Sequence, residues 1–315
     1  MADDETPIHP ELRATAKKFP RLPLNRWTVT VMRLLMGVMP LPKPAADVRI
    51  SNRHAPTENG SHTVGLRVYQ PGRAAAPTGA LLWLHGGGLV IGTPRMNDPQ
   101  MAAFARQLGI VVVSVDYRLA PAHPYPAAID DCYTALKWTR DHAGELGIDP
   151  GRIAVGGASA GGGLAAALAQ MAHDRAEVAV ACQLLVYPML DDRSCLAEVE
   201  HPELLTWTTD NNRFGWEAYL CRPAGLEETR PYAVPGRRED LSGLPPAWIG
   251  VGSLDLFRQE DIDYAARLRA CGVACELVVV EGAFHGFDAF MDDAPVIEGF
   301  FQSQVEALRR YVVGE

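Results

Sequence analysis

Residues 152–174 read RIAVGGASAGGGLAAALAQMAHD, and this stretch decides the fold. RIAV is a short apolar run of the kind that fills a buried parallel strand, and the Ala-rich segment from residue 160 is a strong helix former. Between them, Gly157-Ala158-Ser159-Ala160-Gly161 fits G-x-S-x-G in the strand–turn–helix setting which that motif needs. Such a turn lifts a serine hydroxyl above the sheet, while the helix behind it points its positive end at the same place. Ser159 is the candidate nucleophile, and an inert strand–helix turn is the bland alternative.

The same rhythm runs outward on both sides. VGLRVYQ (64–70) alternates like a half-buried strand. GALLWLH (79–85), GIVVVSVDY (109–117), CQLLVYP (182–188), AWIGVG (247–252) and CELVVVEG (275–282) are short apolar runs bounded by Gly, Pro or Asp. Helical spacing appears over 126–147, 160–174, 259–271 and 296–312. The expected fold is α/β, a mostly parallel doubly wound sheet with right-handed crossovers. Two regions break the rhythm, residues 1–45 and 190–230. They are expected to pack together as a helical cap over the sheet's carboxyl edge, where ligands bind in open α/β sheets. The expected divisions are 1–45 and 190–230 for the cap, with 46–189 and 231–315 for the core.

The bulk numbers narrow the function classes. The chain has 315 residues, 48% of them hydrophobic, enough for one large core. Its net charge is 29 − 38 = −9 without a basic block, which argues against nucleic acid and against a basic membrane-binding face. The apolar stretch 24–40 is interrupted by Asn25, Arg26 and Arg33 and is too short to span a bilayer. Six spread cysteines have no zinc-ligand spacing, and Cys132 and Cys182 read as buried free thiols. The acidic start MADDETPIHP lacks a secretory n-region, so a cytoplasmic location is expected.

A serine needs a base and an anion-stabilising site to act as a nucleophile near neutral pH. HGGG (85–88) follows a buried strand, and its glycines let backbone N–H groups approach a substrate. A phosphate loop is disfavoured because neither G-x-G-x-x-G nor a Walker lysine follows. Of nine histidines, His285 stands just past the last strand pattern, and His85 with Gly86 is read as loop support. Asp255, after AWIGVG, is the leading carboxylate. Asp191 or Asp192, one strand earlier, is its rival, and Glu260 reads as a helix cap. The order Ser159, Asp255, His285 is the Ser–acid–His order of this kind of sheet. Trp207, Phe214 and Trp216 are expected to line or support an apolar cleft.

HGGG, YRLAPAHPYPAAIDD (117–131), GASAGG, Asp255-Leu256-Phe257 and His285-Gly286-Phe287 together resemble the hormone-sensitive-lipase-like family of bacterial esterases, over roughly residues 65–310. The resemblance implies the α/β-hydrolase fold with a helical cap. It also implies a carboxylesterase acting on short- to medium-chain esters through an acyl-enzyme, without a cofactor or metal, on a small-molecule ester. By the same resemblance the oxyanion donors are the N–H groups of Gly87, Gly88 and Ala160, and a homodimer through the last strand is suggested. Three positions depart from the family pattern: Ala158 before the nucleophile, Ala122 after Leu-Ala-Pro, and Leu256 after the acid. An amidase or aryl-formamidase would use the same triad. A non-catalytic receptor on this scaffold is disfavoured because His285 is present.

Overall fold

The computed structural model describes residues 6–18, 23–38, 47–72, 77–196, 206–290 and 293–314. Its centre is one eight-stranded sheet. The strands are β1 (Val48–Pro56), β2 (Thr63–Pro71), β3 (Thr78–Leu84), β4 (Val111–Asp116), β5 (Ile148–Ala158), β6 (Gln183–Val186), β7 (Ala247–Gly252) and β8 (Cys275–Val280), in the order β1-β2-β4-β3-β5-β6-β7-β8. The first two pair antiparallel, β2 runs antiparallel to β4, and every pairing from β4–β3 to β8 is parallel. The helices are α1 (Arg13–Ala16), α2 (Arg26–Val38), α3 (Asp98–Leu108), α4 (Ala127–Asp141), α5 (Ala143–Leu146), α6 (Ala160–Arg175), α7 (Thr209–Leu220), α8 (Arg258–Ala270) and α9 (Pro295–Leu308).

Side chains alternate across the strands, so the sheet carries a core on each face. On β3, Leu82 and Leu84 pack into one layer, and Leu81 and Trp83 into the other. The first layer is covered by α4, α6 and α8 through residues such as Leu136, Leu168 and Leu268. The second is covered by α3 and α9 through Phe104, Phe300 and Phe301. Parallel strands buried on both faces must read as continuous apolar runs, which is how β3, β4 and β7 read.

The structure differs from the sequence reading in instructive places. The strand β1 was not expected. VRISNRHAP carries Arg, Asn and His because it is an outer strand whose side chains are largely half-exposed, and such strands lack an apolar run. The helix α3 was likewise unexpected. Its short Ala-rich sequence packs Met101, Phe104 and Leu108 beneath the sheet, and Gly109 closes it in the left-handed conformation at φ 64°. The run 126–147 divides into α4 and the single turn α5 at His142. Between the two segments expected to form a cap, the Leu24 N–H donates to Asn211 Oδ1 on α7 at 2.7 Å. The parts of those segments at 1–5, 19–22, 39–45 and 197–205 lie outside the described residues. Cys132 and Cys182 are buried free thiols. The strand β8 stands at the sheet's edge.

Candidate active site

The carboxyl ends of five neighbouring parallel strands converge on one place. The segment 85–92 leaves β3, Ser159 follows β5, Tyr187 follows β6, Asp255 follows β7 and His285 follows β8. Ser159 has φ 57° and ψ −122°, a strained turn for a residue bearing a side chain. Three backbone bonds hold it there. Its N–H donates to the Val186 carbonyl at 2.9 Å, and its carbonyl accepts from Gly163 N–H at 3.0 Å and Met189 N–H at 2.9 Å. Gly157 and Gly161 are required sterically, because a Cβ on either would run into backbone carbonyls of the neighbouring turn or of Leu84.

His285 Nε2 lies 2.9 Å from Ser159 Oγ, and His285 Nδ1 lies 2.8 Å from Asp255 Oδ2. All three side chains are buried. The second carboxylate oxygen of Asp255 accepts the Phe257 N–H at 2.9 Å, which fixes its plane. Facing a carboxylate, Nδ1 carries the proton, so the Nε2 lone pair faces the serine hydroxyl. The imidazole is walled by aromatic rings. Tyr187 and Phe257 meet it edge-on at 4.8 and 5.0 Å between centroids, and Trp207 stands at 6.3 Å. The Tyr187 hydroxyl donates to the buried Asp288 at 2.7 Å. Nothing in the sequence patterning singles out Tyr187, which directly follows β6, or Asp288, which lies well beyond the end of β8.

The rival carboxylates are occupied elsewhere. Asp191 accepts two-pronged hydrogen bonds from Arg193 at 2.9 and 2.6 Å, and Asp192 accepts from Arg237 and the Gly225 N–H. Glu260 does not cap α8. It stands in the first turn, and its Oε1 accepts the Leu190 N–H at 2.7 Å, so it braces the loop after β6. That brace spans 70 residues of sequence, beyond the reach of a local capping rule.

The segment 85–92 is a folded loop closed by its own backbone. Gly87 (φ 119°) accepts from Val90 N–H at 3.1 Å and Ile91 N–H at 2.9 Å, while Gly88 (φ 59°) follows in the left-handed region. A Cβ on Gly87 would collide with the Ile91 carbonyl, and one on Gly88 would fall 2.6 Å from Trp207 Cζ2. Among the described residues, the N–H groups of Gly87, Gly88 and Ala160 have no hydrogen-bond partner. Gly87 and Gly88 directly follow Gly86, and Ala160 directly follows Ser159. His85 shapes the loop: its Nδ1–H donates to the Gly86 carbonyl at 2.8 Å, and its ring stacks on Tyr117 at 4.3 Å. The Tyr117 hydroxyl in turn donates to the His85 carbonyl at 2.6 Å. Burial pushes the His85 pKa down to about 4, so the ring is neutral. Gly86 passes close over the nucleophile, where a Cβ would be 3.4 Å from Ser159 Cβ.

Of the three aromatic candidates, Trp207 abuts both Gly88 and His285. Trp216 is buried and lines a small apolar cavity next to Ala160 with Leu89, Leu164, Met189 and Tyr219. Phe214 is half-buried against the core. Among the described residues there is no group of His, Cys, Asp and Glu arranged to hold a metal, and no helix is long and apolar enough to cross a membrane.

Residues 81–289 match a family described as alpha/beta hydrolase fold. Esterase LipI of Mycobacterium tuberculosis is 38% identical over 253 residues, 78% of this chain and 78% of its own. Carboxylesterase NlhH of the same organism is 34% identical over 311 residues, 89% of this chain and 95% of its own. The solved structure of a bacterial heroin esterase superposes with a TM-score of 0.86 at 37% identity, over 96% of this chain and 98% of that one. With the family match spanning residues 81–289 and these relatives covering 78% and 89% of the chain, the protein belongs to the hormone-sensitive-lipase-like family of the alpha/beta hydrolase fold.

Proposed function

We propose that this protein is a serine carboxylesterase that hydrolyses carboxylic esters through an acyl-enzyme on Ser159. The observation that carries the reading is the continuous hydrogen-bonded chain Asp255–His285–Ser159 beside three unpartnered N–H groups. His285 Nε2 takes the serine proton as Oγ attacks the ester carbonyl, and Asp255 stabilises the imidazolium. The carbonyl oxygen gains negative charge and is met by the N–H groups of Gly87, Gly88 and Ala160. The imidazolium then gives its proton to the departing alkoxide. A water deprotonated by the same ring cleaves the acyl-enzyme. No cofactor is needed for any of these steps.

The acyl groups are proposed to be short to medium in length, as the family resemblance implies, and the cavity beside Ala160 is too small to hold them without rearrangement. Trp216, Leu164 and Met189 leave about 10 Å³ there, room for roughly one water molecule. The names of the relatives, esterase and carboxylesterase, support the ester class. The segments around α2 and α7 are proposed as the cap over this cleft. The test is hydrolysis of p-nitrophenyl esters from acetate to palmitate by wild type and Ser159→Ala. Turnover that peaks at short or medium chains and vanishes in the variant supports the reading. Activity surviving in Ser159→Ala overturns it.

A further inference from the structure

We propose that Arg33, on helix α2, is a positioning residue for the oxyanion loop, clamping the turn that presents the Gly87 and Gly88 N–H groups. The inference rests on the esterase reading above. Helix α2 turns Val29, Met32 and Met36 toward the core at helical spacing, while Trp27 and Leu34 remain exposed. Arg33 projects between these faces and reaches two other segments of chain. Its Nε donates to the Val90 carbonyl at 2.8 Å, and its Nη2 donates to the Ala120 carbonyl at 2.5 Å.

Those two carbonyls belong to one connected structure. Val90 N–H donates to the Gly87 carbonyl, so Val90 is the residue that closes the glycine turn. Ala120 N–H donates to the Leu89 carbonyl, and Leu89 itself sits in the left-handed region at φ 65°. A non-glycine residue at that φ is strained and persists only when its surroundings hold it. Arg33 therefore joins, through one planar fork, the loop after β3 and the loop after β4 at the point where they already bond to each other. Removing the fork frees both carbonyls and one side of the strained turn.

The guanidinium also lacks a counter-charge. Among the described residues no carboxylate pairs with Arg33, whereas Arg67, Arg118, Arg193, Arg230 and Arg237 each pair with one. Burial lowers its pKa, and no neighbouring carboxylate raises it again. A half-buried cation bonded only to carbonyls is costly unless those carbonyls need it.

The test compares wild type with Arg33→Gln, Arg33→Met and Arg33→Lys in the full chain. It measures kcat and KM for p-nitrophenyl acetate and the Ki of a short alkyl trifluoromethyl ketone. That ketone takes Ser159 Oγ at its carbonyl carbon while the serine proton passes to His285, and the resulting oxyanion fills the same donors. Losing the clamp is expected to lower kcat by roughly ten- to a hundredfold, the scale of a misplaced catalytic group. The ketone Ki should rise by the same factor with KM within about twofold, and Lys should restore part of both. A merely structural role would instead lower the melting temperature and the fraction of active sites titratable by a phosphonate, leaving kcat per active site intact. Should Gln and Met unfold, Arg33→Ala takes their place, since it too removes both donors, and a folded Ala variant with unchanged kcat and Ki would overturn the proposal. Folded Gln and Met variants within twofold of wild type in both quantities would overturn it too, with the esterase reading untouched. A wild type that neither hydrolyses esters nor binds the ketone would instead bring down the esterase reading, and this inference with it.

Discussion

Replacing Asp255 by Asn changes almost no volume and isolates a single property of the site, the proton arrangement on His285. In the wild type one carboxylate oxygen accepts from His285 Nδ1 at 2.8 Å and the other accepts the Phe257 N–H at 2.9 Å. The Phe257 N–H will claim the amide oxygen of an Asn, which leaves the amide NH₂ facing Nδ1. Nδ1 must then accept, so the ring proton moves to Nε2 and points at the Ser159 hydroxyl. Such a ring cannot take the serine proton. It also loses the negative charge that would stabilise the imidazolium. Wrong-tautomer variants of this kind lose about four decades in kcat, close to 5 kcal/mol of transition-state stabilisation. The assay is kcat on p-nitrophenyl acetate, with the melting temperature as a check on folding and Asp191→Asn as the matched comparison. Asp191 is held by Arg193 and should lose no more than about twofold, as a surface-type ion pair would. A folded Asp255→Asn variant within tenfold of wild type would refute the assignment. An Asp191→Asn variant that matched the large loss would transfer the role.

Gly87→Ala should fold poorly or lose roughly 10²–10³ in kcat, because its Cβ meets the Ile91 carbonyl and the φ of 119° disfavours any side chain. The check is kcat beside circular dichroism, and a well-folded, fully active variant would contradict the steric need for glycine at position 87. Trp216→Ala should cost about 3–5 kcal/mol of stability and move the chain-length optimum upward, since the removed ring lines the cleft beside Ala160. Urea unfolding and the p-nitrophenyl series read both effects. His85 should make the protein less stable in mild acid. Its folded pKa of about 4 lies below the unfolded value of about 6.5, so below pH 6.5 the unfolded chain binds a proton that the folded chain refuses. Stability is lost as pH falls from about 6.5 to 4, by about 3 kcal/mol in all. Unfolding free energies at pH 7 and 4.5 should converge in a His85→Gln variant, and an unchanged slope would contradict this.

Much of this was legible in the sequence because the physics was local. The strands β3, β4, β5 and β7 announce themselves as apolar runs since they are buried on both faces. The turn at Ser159 is legible because close backbone approach forces glycine at Gly157 and Gly161. Strand β1 was not legible for the complementary reason. An outer strand paired on one side keeps Arg49, Asn52, Arg53 and His54, and its identity as a strand comes from its ladder with β2 rather than from its composition. Glu260 shows the same limit in a side chain. A glutamate in a helix's first turn reads as a cap, yet its partner is the Leu190 N–H on a different strand end.

The site divides along the same line. Ser159, Asp255 and His285 could be read individually because each lies within a short loop after a strand, and the ends of parallel strands share one edge. What the sequence did not carry is the shell that gives those residues their geometry. Tyr187 packs edge-on against the imidazole and donates a hydrogen bond to Asp288, which follows a strand two places away in the sheet and lies 101 residues on in the chain. Arg33 entered the sequence reading only as an interruption in an apolar stretch, and in the fold it bonds to carbonyls 57 and 87 residues away. Reacting groups are constrained in residue type, since only a few side chains do their chemistry. Supporting groups are constrained in position, since several side chains could supply the same hydrogen bond. Type survives in a one-dimensional string, whereas position appears only once the chain is folded, which is why the chemistry of this enzyme was readable before its precision was.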